Sequence, residues 1–130
     1  MDNPYLKPVV DKVFRQYLIT ALWSSTDDHD NPLDDNYSID DIHSDSIERL
    51  RVDVENFIET NILFMQTWGD DYESQTGHDL WLTQNGHGVG FWESEWECSV
   101  TNAGYHLNEA AKQLGERFLY VGDDGMVHCD

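Results

Sequence analysis

With 130 residues, the chain is long enough to form one domain, residues 1–130, around a single hydrophobic core. Apolar residues make up 39% of the sequence and aromatic residues 12%, which argues against an intrinsically disordered chain. The formal net charge is −19, from 26 acidic and 7 basic residues. This charge argues against direct binding to nucleic acid or anionic membranes, because phosphate recognition requires clustered Lys and Arg. Its natural complement is a basic surface on another protein.

The cysteines and the N-terminal residues indicate where the protein acts. Cys98 and Cys129 lack the spacing of a metal-binding motif. They fit two free thiols in a reducing cytosol, and a single disulfide between them is the alternative. The first ten residues lack the basic start and apolar core of a secretory signal, and no apolar run approaches the roughly 20 residues that span a bilayer. We therefore expect a soluble intracellular protein.

The N-terminal half predicts two helices joined by an acidic loop. Apolar residues recur at helical spacing over residues 4–23, which predicts the first helix. Residues 24–44 are rich in turn-forming residues and Asp and predict a long loop, held to the body by Leu33, Tyr37 and Ile39. A second helix is predicted over residues 45–68, where Asp45 with Glu48 three residues later forms a capping box.

After residue 77 the period of the apolar residues changes from 3.6 to 2. Residues 78–84 and 89–92 are predicted to pair as antiparallel strands across a turn at residues 85–88, where Asn and Gly tolerate positive φ. A third helix is predicted over residues 102–117, and a second hairpin closes the chain around residues 123–125. The expected fold is therefore α+β, a small antiparallel sheet of two β-hairpins packed against about three α-helices.

The stretch "GHDLWLTQNGHGVGFW", followed by a short helix and "LYVGDDG", resembles a family of small acidic proteins in bacteriophage genomes and prophages. The upstream segments "LWSS" and "PLDDNYSIDDI" resemble the N-terminal half of the same family, so the resemblance extends over nearly the whole chain. It implies a viral origin and action in the cytoplasm of a bacterial host, and it assigns no catalytic residue. Small acidic phage proteins are often agents of host takeover, so the resemblance also implies a role of this kind by context and not by a matched site.

The aspartates of the loop have three interpretations. As a Ca²⁺ site the loop fails, because an EF-hand counted from Asp28 places Leu33 at the glycine position and Ile39 at the position of the bidentate acid. The carboxylates can instead imitate the charge spacing of a DNA backbone and occupy a basic groove. Simple solubility is the third interpretation. From Gln16 to Glu48 there are nine acidic residues and no Lys or Arg, which favours a basic partner over ordinary surface mixing. The predicted partner-binding residues are Asp27, Asp28, Asp34, Asp35, Asp40, Asp41 and an exposed aromatic anchor, Trp92.

A rival site is centred on the predicted hairpin, where His78, Asp79, His87 and Trp92 could bind a ligand or form a metal-dependent active site, with more distant histidines as further ligands. The sequence lacks a His-Glu-x-x-His motif, a nucleophile elbow and a phosphate-binding loop. We therefore predict a non-enzymatic interaction protein with no catalytic residues, no metal and no cofactor, which binds and blocks a basic surface of a host protein. The alternatives are the small ligand-binding protein or metal-dependent enzyme, and a virion accessory.

Overall fold

The computed structural model describes residues 4–87, 89–91, 96 and 102–130. It has the expected α+β composition, with four helices and one two-stranded antiparallel sheet in the described part of the chain. The elements are α1 (Lys7–Ser24), α2 (Ser44–Gln66), α3 (Tyr72–Gln84), α4 (Ala103–Gln113), β1 (Leu119–Val121) and β2 (Val127–Cys129). Two short 3₁₀ turns, Leu33–Asp35 and Ile39–Asp41, lie between α1 and α2.

The first two predicted helices are confirmed, with small changes at their ends. Pro8 lies in the first turn of α1, where the missing N–H has no helical acceptor to lose. The N-terminus of α2 differs from the prediction, because the cap is His43 and not Asp45. The Nδ1 atom of His43 accepts a hydrogen bond from the backbone N–H of Asp45 at 3.2 Å.

The prediction of a hairpin over residues 78–84 and 89–92 is wrong. Residues 78–84 form the last two turns of α3, and residues 89–91 return beside that helix without forming a strand. The return is held by a hydrogen bond of 3.0 Å, which the backbone N–H of Phe91 donates to Oγ1 of Thr83. Gly86, expected in a hairpin turn, instead follows the last turn of the helix with φ of +68°. Residue 92 lies outside the described residues.

The helical period is absent from the sequence of α3 for a physical reason. An amphipathic helix is recognised by one apolar face, but α3 is enclosed by its neighbours, and every residue from 79 to 84 is buried. Polar residues are therefore buried beside apolar ones, and the period of 3.6 disappears from the sequence. The helix packs mainly against α1, and Trp81 of α3 lies edge-on to Tyr17 of α1 with ring centroids 5.3 Å apart.

The C-terminal part agrees with the prediction in type. The helix predicted over residues 102–117 is confirmed, but α4 ends earlier, at Gln113. The second hairpin is confirmed, with Leu119 opposite Cys129 and Val121 opposite Val127. The outer edge of β2 meets Ile42 in a single parallel bridge to Val127, so this hairpin is attached to the C-terminal end of the acidic loop.

Candidate functional site

The acidic loop, residues 25–43, is anchored at several points along its length. Leu33 is 1% exposed and Ile42 is 4% exposed, and Tyr37 and Ile39 pack against the same core, which confirms the predicted anchors. The backbone is tied at both ends: Leu33 donates to the carbonyl of Ser25 at 2.9 Å, and His43 donates to the carbonyl of Val127 at 2.8 Å. The loop thus holds its carboxylates in defined positions.

Two of the predicted partner-binding aspartates also organise the loop. The carboxylate of Asp27 accepts backbone hydrogen bonds from His29 at 2.8 Å and from Asn31 at 3.0 Å. These bonds favour the charged form and lower the pKa of Asp27 below its ordinary value, with the Asn31 bond as the larger cause. The carboxylate of Asp41 accepts the backbone N–H of Ser38 at 2.8 Å and closes a capping box.

The charge of the loop is not neutralised within the described part of the chain. Its carboxylates form no ion pair there with a Lys or Arg, whereas most of the cations are paired with acids elsewhere. Lys7 and Arg51 both bind Asp11, at 2.9 and 2.7 Å, and together they lower the pKa of that carboxyl, Lys7 more strongly. Four of the six predicted aspartates are exposed, namely Asp28, Asp34, Asp35 and Asp40. The other two, Asp27 and Asp41, are half-buried.

The structure divides the predicted aspartates between two depressions. Asp27 and Asp28 lie on a cleft of about 810 Å³, whose lining also includes Trp81, His87 and Arg117. Asp34 and Asp40 lie on a smaller groove between the loop and α1. Asp35 and Asp41 line neither depression. The six residues therefore form a continuous acidic segment of chain but not one pocket.

Behind the cleft lies a buried polar network that sequence reasoning missed. The guanidinium of Arg117 donates to both carboxylate oxygens of Asp53, at 2.8 and 3.0 Å, and these bonds raise the pKa of Arg117. Gln84 donates a hydrogen bond to Asp53 at 3.1 Å and accepts one from the hydroxyl of Tyr17. The pKa of Tyr17 is raised well above its ordinary value by burial. Since the charge of Arg117 is already paired, it does not offset the acidic rim of the cleft.

Three residues of the rival site, His78, Asp79 and His87, lie in the described part of the chain, and their surroundings differ. Asp79 is fully buried and accepts hydrogen bonds from Nε1 of Trp96 at 2.6 Å and from Nε2 of Gln75 at 2.9 Å. His78 lies with Nδ1 3.1 Å from the same carboxylate, and its ring packs against Trp23. His87 follows the end of α3 and lies on the cleft instead. The carboxylate of Asp79 thus serves to join α3 to Trp96, and Trp92 lies outside the described residues.

Among the described residues, the remaining histidines and acids do not converge on a metal site. Within the described ranges, no group of three or more His, Cys, Asp or Glu side chains is placed to hold a metal ion. His106 stacks on Phe64 with ring centroids 4.6 Å apart, and His128 lies 2.9 Å from a carboxylate oxygen of Asp124. Among the described residues, Cys129 is a buried free thiol, and its burial raises its pKa. Cys98 lies outside the described residues.

No protein-family model, curated protein or solved structure matches this chain. Within the part of the chain that the structure describes, no helix has the length and apolar character that crossing a membrane requires. The feature of the protein that bears most directly on its function is the acidic loop on its surface.

Proposed function

We propose that this chain is a phage-encoded, acidic, non-enzymatic interaction protein that binds and blocks a basic surface of a host protein in the bacterial cytoplasm. The target in this proposal is an enzyme that handles nucleic acid or serves in defence, and the chain occupies its basic groove as a DNA-mimic-like inhibitor. The observation that carries the proposal is the anchored loop with exposed carboxylates that are not paired to Lys or Arg within the described residues.

Electrostatics explains why such a loop suits a basic partner. Exposed carboxylates attract a positive surface over about one Debye length, roughly 10 Å at 0.1 M salt, and steering of this kind raises association rates by about 10- to 1000-fold. A loop held at Leu33 and Ile42 also loses less conformational freedom on binding than a disordered acidic tail would. Fixed charge and low ordering cost both favour recognition over mere solubility.

The same structure gives the enzyme alternative little support. A general acid or base must be able to reach a substrate, but Asp79 is buried and its carboxylate is engaged by Trp96, Gln75 and His78. The predicted aromatic anchor Trp92 stays part of the proposal. If its ring contacts the partner, Trp92→Ala should mainly increase the dissociation rate.

The experiment compares two variants with equal net charge. In the loop variant, Asp27, Asp28, Asp34, Asp35, Asp40 and Asp41 are replaced by Asn. In the matched control, six acids outside the loop are replaced by their amides: Glu48, Glu59, Asp70, Asp71, Glu109 and Asp123. A host protein captured on the immobilised parent is purified, and its binding kinetics are measured over a series of salt concentrations.

The loop variant should associate at least about ten-fold more slowly than the parent at low salt, and the difference should shrink as salt rises. The control variant should change the rate by less than about three-fold, because its lost charges lie outside the acidic loop. Equal behaviour of the two variants would show that only net charge matters. Equal binding by parent and loop variant at every salt concentration would reduce the loop to a solubility device.

A further inference from the structure

A groove lies between α1 and the acidic loop, and neither Asp27 nor Asp28 is among its lining residues. We call it the loop groove. Its floor is formed by Ile19 and Leu22 of α1 with Tyr37 and Ile39 of the loop, and its volume is about 410 Å³. A second depression of about 220 Å³ continues it toward α2 and shares Arg15 and Ile39 with it. The loop groove is therefore large enough to accept one large side chain from another molecule.

The floor of the loop groove is apolar but incompletely covered. Leu22 is buried in the core, whereas Ile19, Tyr37 and Ile39 are half-buried and keep part of their surface open. Tyr37 and Ile39 anchor the loop and leave the groove beside them unfilled. An apolar side chain that entered the groove would remove this surface from water.

Charges border the apolar floor on both sides. Asp34 and Asp40 lie on the loop side, exposed and without an ion-pair partner among the described residues. Arg15 lies on the α1 side, also exposed and without an ion pair in that part of the chain. A ligand that places cations beside the aspartates and keeps them away from Arg15 complements this distribution.

We propose that the loop groove is the anchoring site for the partner: it takes one large apolar side chain, flanked by Lys or Arg, from the basic surface of the partner protein. This inference rests on the proposed function and adds the place and the chemistry of contact. Asp34 and Asp40 pair with the flanking cations, and the floor buries the apolar side chain. Desolvated apolar anchors of this kind carry much of the affinity in protein interfaces, while the surrounding charges set orientation and association rate.

The test uses two synthetic lysine-rich peptides of equal length and charge, one with a central Trp and one with a central Ser. Binding to the full chain is measured at low salt by fluorescence and by NMR of the isoleucine methyl groups. Ile19→Gln places a polar side chain in the groove without changing the charge. Leu63→Gln is the matched control, because Leu63 is an apolar side chain of α2 that is 76% exposed.

The Trp peptide should bind the parent about ten-fold more tightly than the Ser peptide and shift the methyl signals of Ile19 and Ile39. Ile19→Gln should abolish this preference, and Leu63→Gln should keep it. Equal binding of both peptides, or methyl signals that do not move in the parent, would overturn the groove assignment even if the variant failed to fold. If both peptides bound equally and the Asp34→Asn/Asp40→Asn double variant weakened them equally, the proposed function would survive without the groove. If neither peptide bound, both the groove assignment and the proposed function would be refuted.

Discussion

Replacing Gly77 by alanine should destabilise the protein, although the same change in an ordinary helix does the opposite. Gly77 lies in α3 at a point where this helix passes close to α1. A Cβ atom at this position would lie 2.4 Å from the carbonyl oxygen of Val13, 2.9 Å from the backbone nitrogen of Tyr17 and 2.9 Å from Cβ of Gln16. Two of these atoms belong to the backbone of α1 and cannot rotate away, so the helices must separate.

The magnitude follows from two opposing terms. Alanine is favoured over glycine by about 1 kcal/mol in a helix interior. Overpacking costs about 1–3 kcal/mol, and the upper end applies because the obstructing atoms are backbone. The net loss in the free energy of unfolding is about 2 kcal/mol, or about 7 °C in melting temperature at roughly 3.5 °C per kcal/mol for a chain of this size.

The assay is urea and thermal unfolding of the parent, Gly77→Ala and Ser74→Ala, followed by circular dichroism. Ser74 lies in the same helix and is half-buried, so its replacement by alanine should leave the unfolding free energy within about 0.5 kcal/mol of the parent. If Gly77→Ala were as stable as the parent or more stable, the close approach of α1 and α3 would be refuted.

Three further predictions concern charge and burial. Arg117→Ala leaves Asp53 buried without its cation. Because Arg117 is partly exposed, the free energy of unfolding measured in urea should fall by about 2–3 kcal/mol. An unchanged free energy of unfolding would show that the pair is dispensable. Because the pKa of Asp27 is lowered in the folded state, its contribution to stability is present above pH 3.8 and lost as pH falls through the folded value. Asp27→Asn should therefore reduce the acid sensitivity of unfolding, and an NMR titration that placed the carboxyl at or above 3.8 would contradict this. Burial raises the pKa of Cys129, so alkylation of its thiol at neutral pH should be slow in the native protein and fast in urea. The rates can be measured by mass spectrometry in a Cys98→Ser variant. Equal rates in the native protein and in urea would contradict the burial of Cys129.

Residues 78–84 were predicted as a strand but form the end of α3, which shows how local sequence signals can fail. Asn85 and Gly86 suit a hairpin turn, but the same pair suits the end of a helix, since both need a residue that tolerates positive φ. Only the packing of α3 against α1 decides between the two. The helices α1 and α2 were predictable because each keeps an exposed face, so that its apolar residues recur with the helical period.

The polar contacts and the groove could not have been predicted from any local pattern. Arg117 and Asp53 are 64 residues apart, and the hydrogen bond from Trp96 to Asp79 unites segments whose motifs suggested other roles. The loop groove combines Ile19 of α1 with Ile39 of the loop, so it exists only once the loop has folded onto the helix.

The sequence by itself determined the strong negative charge, the mixed α+β class, the first two helices, the terminal hairpin and the anchored acidic loop. Composition fixes the charge whatever the fold, and short-range periodicity depends only on residues that are near one another in the sequence. The tertiary structure decided that α3 is a helix, that Asp79 and Asp53 are engaged in internal hydrogen bonds, and that the predicted aspartates border two separate depressions. Those outcomes depend on which distant surfaces exclude water together, and burial between elements overrides local preference wherever a segment is enclosed on all sides.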